Sequence, residues 1–225
     1  MADNTSKETT GTLQLIAIPA LITLAITILR LMGEMQGWSK VWFNPEPGGG
    51  AAPIGIVWLV LIFGVYFAIK LGNAGDAPAN TGRVISFAVL GIVVAAVGFV
   101  IALKVSQPGA PLAQAIVGVA SIAAIVLQRR PWPGLFRALL SYGFAARIPV
   151  TIIMFFAIRG NWGTHYDGPP PGFPEGFDWF TRFILIGAIP QLIVWIAFTV
   201  VVGTLFGGVA TAVASRGKQT SAEQA

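Results

Sequence analysis

The sequence predicts an all-α, polytopic membrane protein: a six-span transmembrane helix bundle whose two long extracytoplasmic links are rich in Pro, Gly and Trp. Three observations predict it. Hydrophobic residues make up 55% of the 225 residues and charged residues only 10%, against about 25% charged in a soluble domain. The mean hydropathy is +0.77, more apolar surface than a soluble core of this size can hide, so lipid is the expected solvent for most of it. The apolar residues also fall into six runs, about 12–32, 54–71, 84–104, 111–128, 134–158 and 180–208, separated by polar or Pro/Gly-rich breaks. A helix rises about 1.5 Å per residue, so about 20 residues cross the hydrocarbon layer.

The first run follows a short polar tail, MADNTSKETTG, over residues 1–11. It is longer than the roughly 7–15 residues of a secretory signal core and lacks a basic leader, so it reads as a retained helix. The fourth run is the shortest, closed by Pro108 and Pro111 before it and by Gln128-Arg129-Arg130-Pro131 after it. A re-entrant segment is the alternative there to a full crossing. The sixth run exceeds what a crossing needs; it tilts, or its end beyond Gly207-Gly208 lies along the surface. Residues 12–208 thus form a single transmembrane domain, with a polar C-tail over 209–225.

Six crossings put both termini on one side. That side collects Lys7, Lys70, Arg83, Arg129, Arg130, Arg137, Arg216 and Lys218, against Arg30, Lys40, Lys104, Arg159 and Arg182 on the other. The excess of basic residues predicts cytoplasmic termini and an inner (plasma) membrane location. The links GWSKVWFNPEPGGGAAP and GNWGTHYDGPPPGFPEGFDWF then lie outside. They carry the candidate extracytoplasmic cap: Trp38, Trp42, Trp162, His165, Asp167 and Trp179. Tryptophan prefers the headgroup zone, and Pro and Gly force tight turns. An aromatic belt on tight turns and a surface for a ligand or partner are both open readings.

Composition excludes much chemistry. With no cysteine and one histidine, disulfide frameworks, thiolate catalysis and multi-ligand Cys/His metal cages are ruled out; no metal and no cofactor are expected. The net charge of +5 points to anionic lipid rather than nucleic acid, because no basic cluster exceeds Arg129–Arg130. Walker, dinucleotide and G-x-S-x-G fingerprints are missing from the sequence. His165, Tyr166, Asp167, Glu175 and Asp178 share one link, and a histidine beside carboxylates can do acid–base work. Asp178, just before Trp179, reads as a helix N-cap, and Arg30 with Glu34 as a helix-end pair.

Arg147 is the residue that stands out. It lies about 18 Å below Arg159 along the fifth run, a depth at which a cation needs compensation. Pro149 follows, and a proline frees the carbonyl four residues back, here that of Ala145. In the antiparallel sixth run, Pro190 and Gln191 lie about the same distance below Trp179, with the carbonyl of Ile186 freed. Pro149, Pro190 and Pro19 are the expected kinks. Tyr142, Ser141 and Tyr66 join Arg147 and Gln191 as candidate ligand-binding residues, and Trp195 is a further donor. Three readings stay open: a self-satisfied structural arginine, a site for an anion or anionic headgroup, and a pair with a carboxylate from another chain. The functional expectation is a non-enzymatic transporter-like, channel-like or lipid- or anion-binding bundle. An accessory or scaffold subunit of a larger membrane complex is the alternative, and a lipid-modifying enzyme using His165 comes third. Membrane lipids are the expected partners, with a second copy or another membrane protein as further candidates.

Overall fold

The computed structural model describes residues 2–49 and 52–223, with side chains over 11–48 and 52–215. Lys7, Arg216 and Lys218 of the charge comparison lie outside the described side chains. Among the described residues there is no strand. The helices are α1 (Ala2–Met35), α2 (Leu59–Asn73), α3 (Thr81–Val105), α4 (Pro111–Gln128), α5 (Pro133–Gly160), a short α6 (Trp179–Arg182) and α7 (Trp195–Glu223). Between α6 and α7 the chain continues as two π-helical segments, Phe183–Ala188 and Pro190–Val194.

Among the described residues, five stretches are long and apolar enough to cross a membrane: Gly11–Met35, Thr81–Val105, Pro111–Gln128, Pro133–Gly160 and the continuous rod Trp179–Ser215. The second run differs from expectation. Its helix starts only at Leu59 and has 15 residues, a rise of about 22 Å. Residues 53–56 form bends and 57–58 a turn instead, because Pro53 and Gly55 interrupt the helix, and the indole Nε1–H of Trp58 donates to the Pro53 carbonyl at 3.2 Å. The all-helical, apolar architecture is consistent with a membrane helical bundle.

Local chemistry sets the helix ends. Asn80 caps α3 by accepting the Arg83 N–H at 2.9 Å. Asp178 caps α6, its Oδ1 accepting from the N–H groups of Phe180 and Thr181. Both α4 and α5 begin on proline, whose missing N–H would have been unpaired in a first turn anyway. Asn161 ends α5 in the left-handed region, at φ 48°.

α7 is the hub: α2, α3, α4 and α5 pack against it, α3 pairs with α4, and α1 lies on α5. Phe67, Leu135, Leu139, Tyr142, Ile196 and Val200 are buried at its core. The outer faces are apolar, with Leu21 65% and Val119 69% exposed, the reverse of a soluble bundle. Glycine allows the closest approach. A Cβ on Gly64 of α2 would lie 2.6 Å from the Gly203 carbonyl oxygen and 2.8 Å from its Cα on α7. One on Gly207 would lie 2.9 Å from the Gly64 oxygen. The G-x-x-x-G pair Gly203/Gly207 is therefore spent on packing within the chain.

α1 and α5 stay helical through Pro19 and Pro149. Pro190 acts differently. Around it the backbone bonds skip five residues, with Ile189 N–H on the Ile184 carbonyl and Trp195 N–H on the Pro190 carbonyl. In this register the acceptor that loses its donor at Pro190 is Leu185 rather than Ile186. Gln114 of α4 supplies the missing donor: its Nε2–H meets the Leu185 carbonyl at 2.8 Å.

The described parts of the links over 36–58, 106–110 and 161–178 converge at one end of the bundle. Gly168 abuts Pro47, and the Phe173 ring fills the space beside Gly109, whose φ of 79° suits glycine.

Candidate functional site

Helix α5 holds Arg147 in the interior, 4% exposed. Its Nη1 donates to Gln191 Oε1 at 3.2 Å, and its Cζ lies 4.7 Å from the centroid of the Trp195 ring. Gln191 and Trp195, four residues apart around the end of the second π segment, thus hold the guanidinium by an edge and a face. Nε has no hydrogen-bond partner among the described residues. The Arg147 carbonyl accepts the Thr151 hydroxyl at 2.8 Å.

A cation at the centre of a membrane-spanning helix costs about 2.5–3.5 kcal/mol or more. One interhelical hydrogen bond returns about 0.6 kcal/mol and a desolvated cation–π contact about 2 kcal/mol. An unpaired buried N–H adds a cost of about 1–3 kcal/mol. Among the described residues the guanidinium thus keeps one buried N–H, on Nε, without a partner.

Arg147 and Gln191 stand in the wall of a cavity of about 1090 Å³ that runs from the converging links toward the bundle interior. Its walls are mainly apolar, with Ile56, Leu61, Phe99, Leu103, Val117 and Val194 among them. Phe99 and Leu103 are also about half exposed. The charged and polar lining is sparse: Thr27, Arg30, Gln114, Arg147, His165, Tyr166 and Gln191. None of the described lining residues is Asp or Glu, and two are arginines.

At the link end, Glu34 gathers a second polar group. Its Oε1 accepts the Arg30 Nε–H at 2.8 Å and lies 2.6 Å from His165 Nδ1, while its Oε2 accepts the His165 backbone N–H at 2.9 Å. Arg30 also donates through Nη2 to the Asn44 carbonyl at 3.2 Å. Tyr166 donates its hydroxyl to the Thr27 carbonyl at 3.4 Å. The Asp167 carboxylate accepts from Gly163 N–H, Thr164 N–H and the Thr164 hydroxyl, which folds the link into a tight turn, and Arg182 donates to the Asp167 carbonyl. Burial holds the His165 pKa below its ordinary 6.5, against the upward pull of the Glu34 hydrogen bond.

The candidate residues divide between these places. Arg147 and Gln191 meet; Tyr142, Ser141 and Tyr66 do not line the cavity. The Tyr142 hydroxyl shares a 2.8 Å hydrogen bond with Thr23, and its ring packs edge-on against Phe63 and Phe67. Tyr66 lies under Lys70 on α2. Of the cap residues only His165 lines the cavity. Trp38 packs on Phe43, and Trp179 on Phe155 beneath Arg159. Trp42 and Trp162 are exposed.

Sequence reasoning missed Gln114, the ring-face role of Trp195, and the bonding of Glu34 to His165. An amide in an apolar run was the available signal for Gln114. The spacing of Arg30 and Glu34 announced their own pair but not the link that docks on it. The chain matches no protein-family model, no curated protein and no solved structure.

Proposed function

We propose that the protein is a six-span inner-membrane protein that binds an anionic amphiphile in the cavity, with the headgroup on Arg147 and Gln191 and the apolar tail along the walls. In this reading α2 and the bends before it make the sixth crossing, and the cavity serves as the binding or transfer site of a small carrier. The observation that carries the reading is the Arg147 Nε–H, buried without a partner in a mainly apolar cavity wall. A guanidinium presents parallel donors that fit a carboxylate, sulfonate or phosphate. Binding is favoured over turnover because the two hydroxyls in the lining are already committed: Thr27 donates to the Thr23 carbonyl at 2.8 Å and Tyr166 to that of Thr27.

The test is calorimetric titration of the protein in phosphatidylcholine nanodiscs with decane-1-sulfonate, with protein-free discs as the blank. Saturable binding is expected, weakened about ten- to a hundredfold in Arg147→Met, the worth of a charged hydrogen bond. Uncharged 1-decanol should not compete. Equal binding by wild type and Arg147→Met sinks the reading.

A further inference from the structure

We propose that His165 is a ligand group of the same cavity and binds the anionic headgroup together with a proton on Nε2, so that anion and proton are taken up as one. This rests on the anion-binding reading above and goes beyond it in naming the second contact and the ion that accompanies the ligand.

The geometry fixes the ring. Nδ1 faces Glu34 Oε1 at 2.6 Å, and the same carboxylate holds the His165 backbone N–H at 2.9 Å. Clamped at ring and backbone, the imidazole cannot swing away. Because the carboxylate is an acceptor, Nδ1 carries the hydrogen and Nε2 is left as the nitrogen that gains or loses a proton. Nε2 makes no hydrogen bond among the described residues, and His165 lines the cavity.

The two ends of the polar lining face one cavity. Thr27 lies three residues before Arg30 on α1, about 4.5 Å along the axis. Tyr166 packs at a tilt on His165 with ring centroids 3.8 Å apart, reaches down to the Thr27 carbonyl, and lines the same cavity as Arg147. A headgroup with several oxygens can therefore sit between Arg147 below and Arg30 with His165 above.

The charges facing His165 set the direction of the effect. Arg30 and Glu34 approach from α1, Asp167 and Tyr166 from its own link, and Arg182 of α6 is tied to the Asp167 carbonyl; from the described part of link 36–58 the Asn44 carbonyl meets Arg30. Arg30 and Glu34 offset each other, so a neutral ring leaves the cluster with little net charge and a protonated ring adds one positive charge. Without ligand, burial favours the neutral ring. An anion beside Nε2 favours the charged one and raises the His165 pKa. By reciprocity, affinity is highest below the ligand-free pKa, falls as pH rises toward the ligand-bound pKa, and is flat above it. Each unit of pKa difference is about a tenfold change in affinity.

Decane-1-sulfonate keeps its charge across this range, so any pH dependence belongs to the protein. Titrations in nanodiscs from pH 5 to 8 should show affinity rising about tenfold toward acid, with proton uptake on binding. His165→Gln should bind with the high-pH affinity throughout. Since His165 is the single histidine, ring NMR of histidine-labelled wild type gives a readout without mutation: its pKa should rise on adding the sulfonate. Wild-type binding with a flat pH profile, an unmoved His165 resonance, or pH dependence retained in His165→Gln each overturns this proposal and leaves the anion site standing. Absence of wild-type binding at every pH overturns both.

Discussion

Gln114 on α4 donates its side-chain N–H to the backbone carbonyl of Leu185, 71 residues away and five before Pro190. The bond mends the gap the proline makes in the π register and ties α4 to the segment that carries Gln191. Gln114→Leu leaves that carbonyl buried and unpaired, at a cost of about 1–3 kcal/mol. Pro190→Ala returns an N–H to the segment, so the double variant should recover part of the loss. Equilibrium unfolding in mixed micelles over the four-member cycle gives the coupling energy, and simple additivity would contradict the pairing.

Replacing Arg147 should separate stability from binding. Arg147→Met removes a buried cation that its own contacts do not fully compensate, so its apparent Tm should equal or exceed that of wild type while sulfonate binding falls. Arg147→Lys keeps the charge but loses the planar fork and should bind weakly. A large drop in Tm for Arg147→Met would instead mark the arginine as a structural tie.

The α2–α7 contact should tolerate no side chain. Gly64→Val forces a branched group into the Gly203 backbone, which cannot rotate aside, and should cost about 1–3 kcal/mol or more. Gly72, with open space around it, is the control position. Thermal unfolding of both variants in one detergent checks the contrast.

Acid should loosen the link over 161–178 in the ligand-free protein. The His165 pKa is held below its unfolded value by burial, so the unfolded chain binds the extra proton first. Stability should therefore fall as pH drops through about 6.5, and level off once the folded-state group is also protonated. His165→Gln should flatten that part of the profile. Hydrogen exchange over residues 161–178 between pH 7.5 and 5.5 measures it, with faster exchange expected at the acid end.

Much of this architecture was legible because long apolar helices obey simple geometry. A rise per residue and an antiparallel pair placed Arg147 and Gln191 at one depth, and their side chains lie 3.2 Å apart. The same counting could not say that Tyr142 turns to Thr23 instead, since depth does not give rotation about the helix axis. It assigned the lost acceptor to Ile186 because it assumed an α register, and the π segments move it to Leu185. The contact of Glu34 with His165 bridges 131 positions through a link with no period from which to predict it. Run 54–71 was read by hydropathy alone, which does not register that Pro53 and Gly55 delay the helix to Leu59.

The glycine contact between α2 and α7 also bears on how the cavity could change shape. Backbone pressed on backbone at Gly64, Gly203 and Gly207 leaves no side-chain cushion to absorb sliding, so these two helices form a fixed frame. Any widening or narrowing around an occupant then falls to the walls outside that frame, the α3–α4 hairpin with Phe99, Leu103 and Gln114, and the tip of α1 with its docked link.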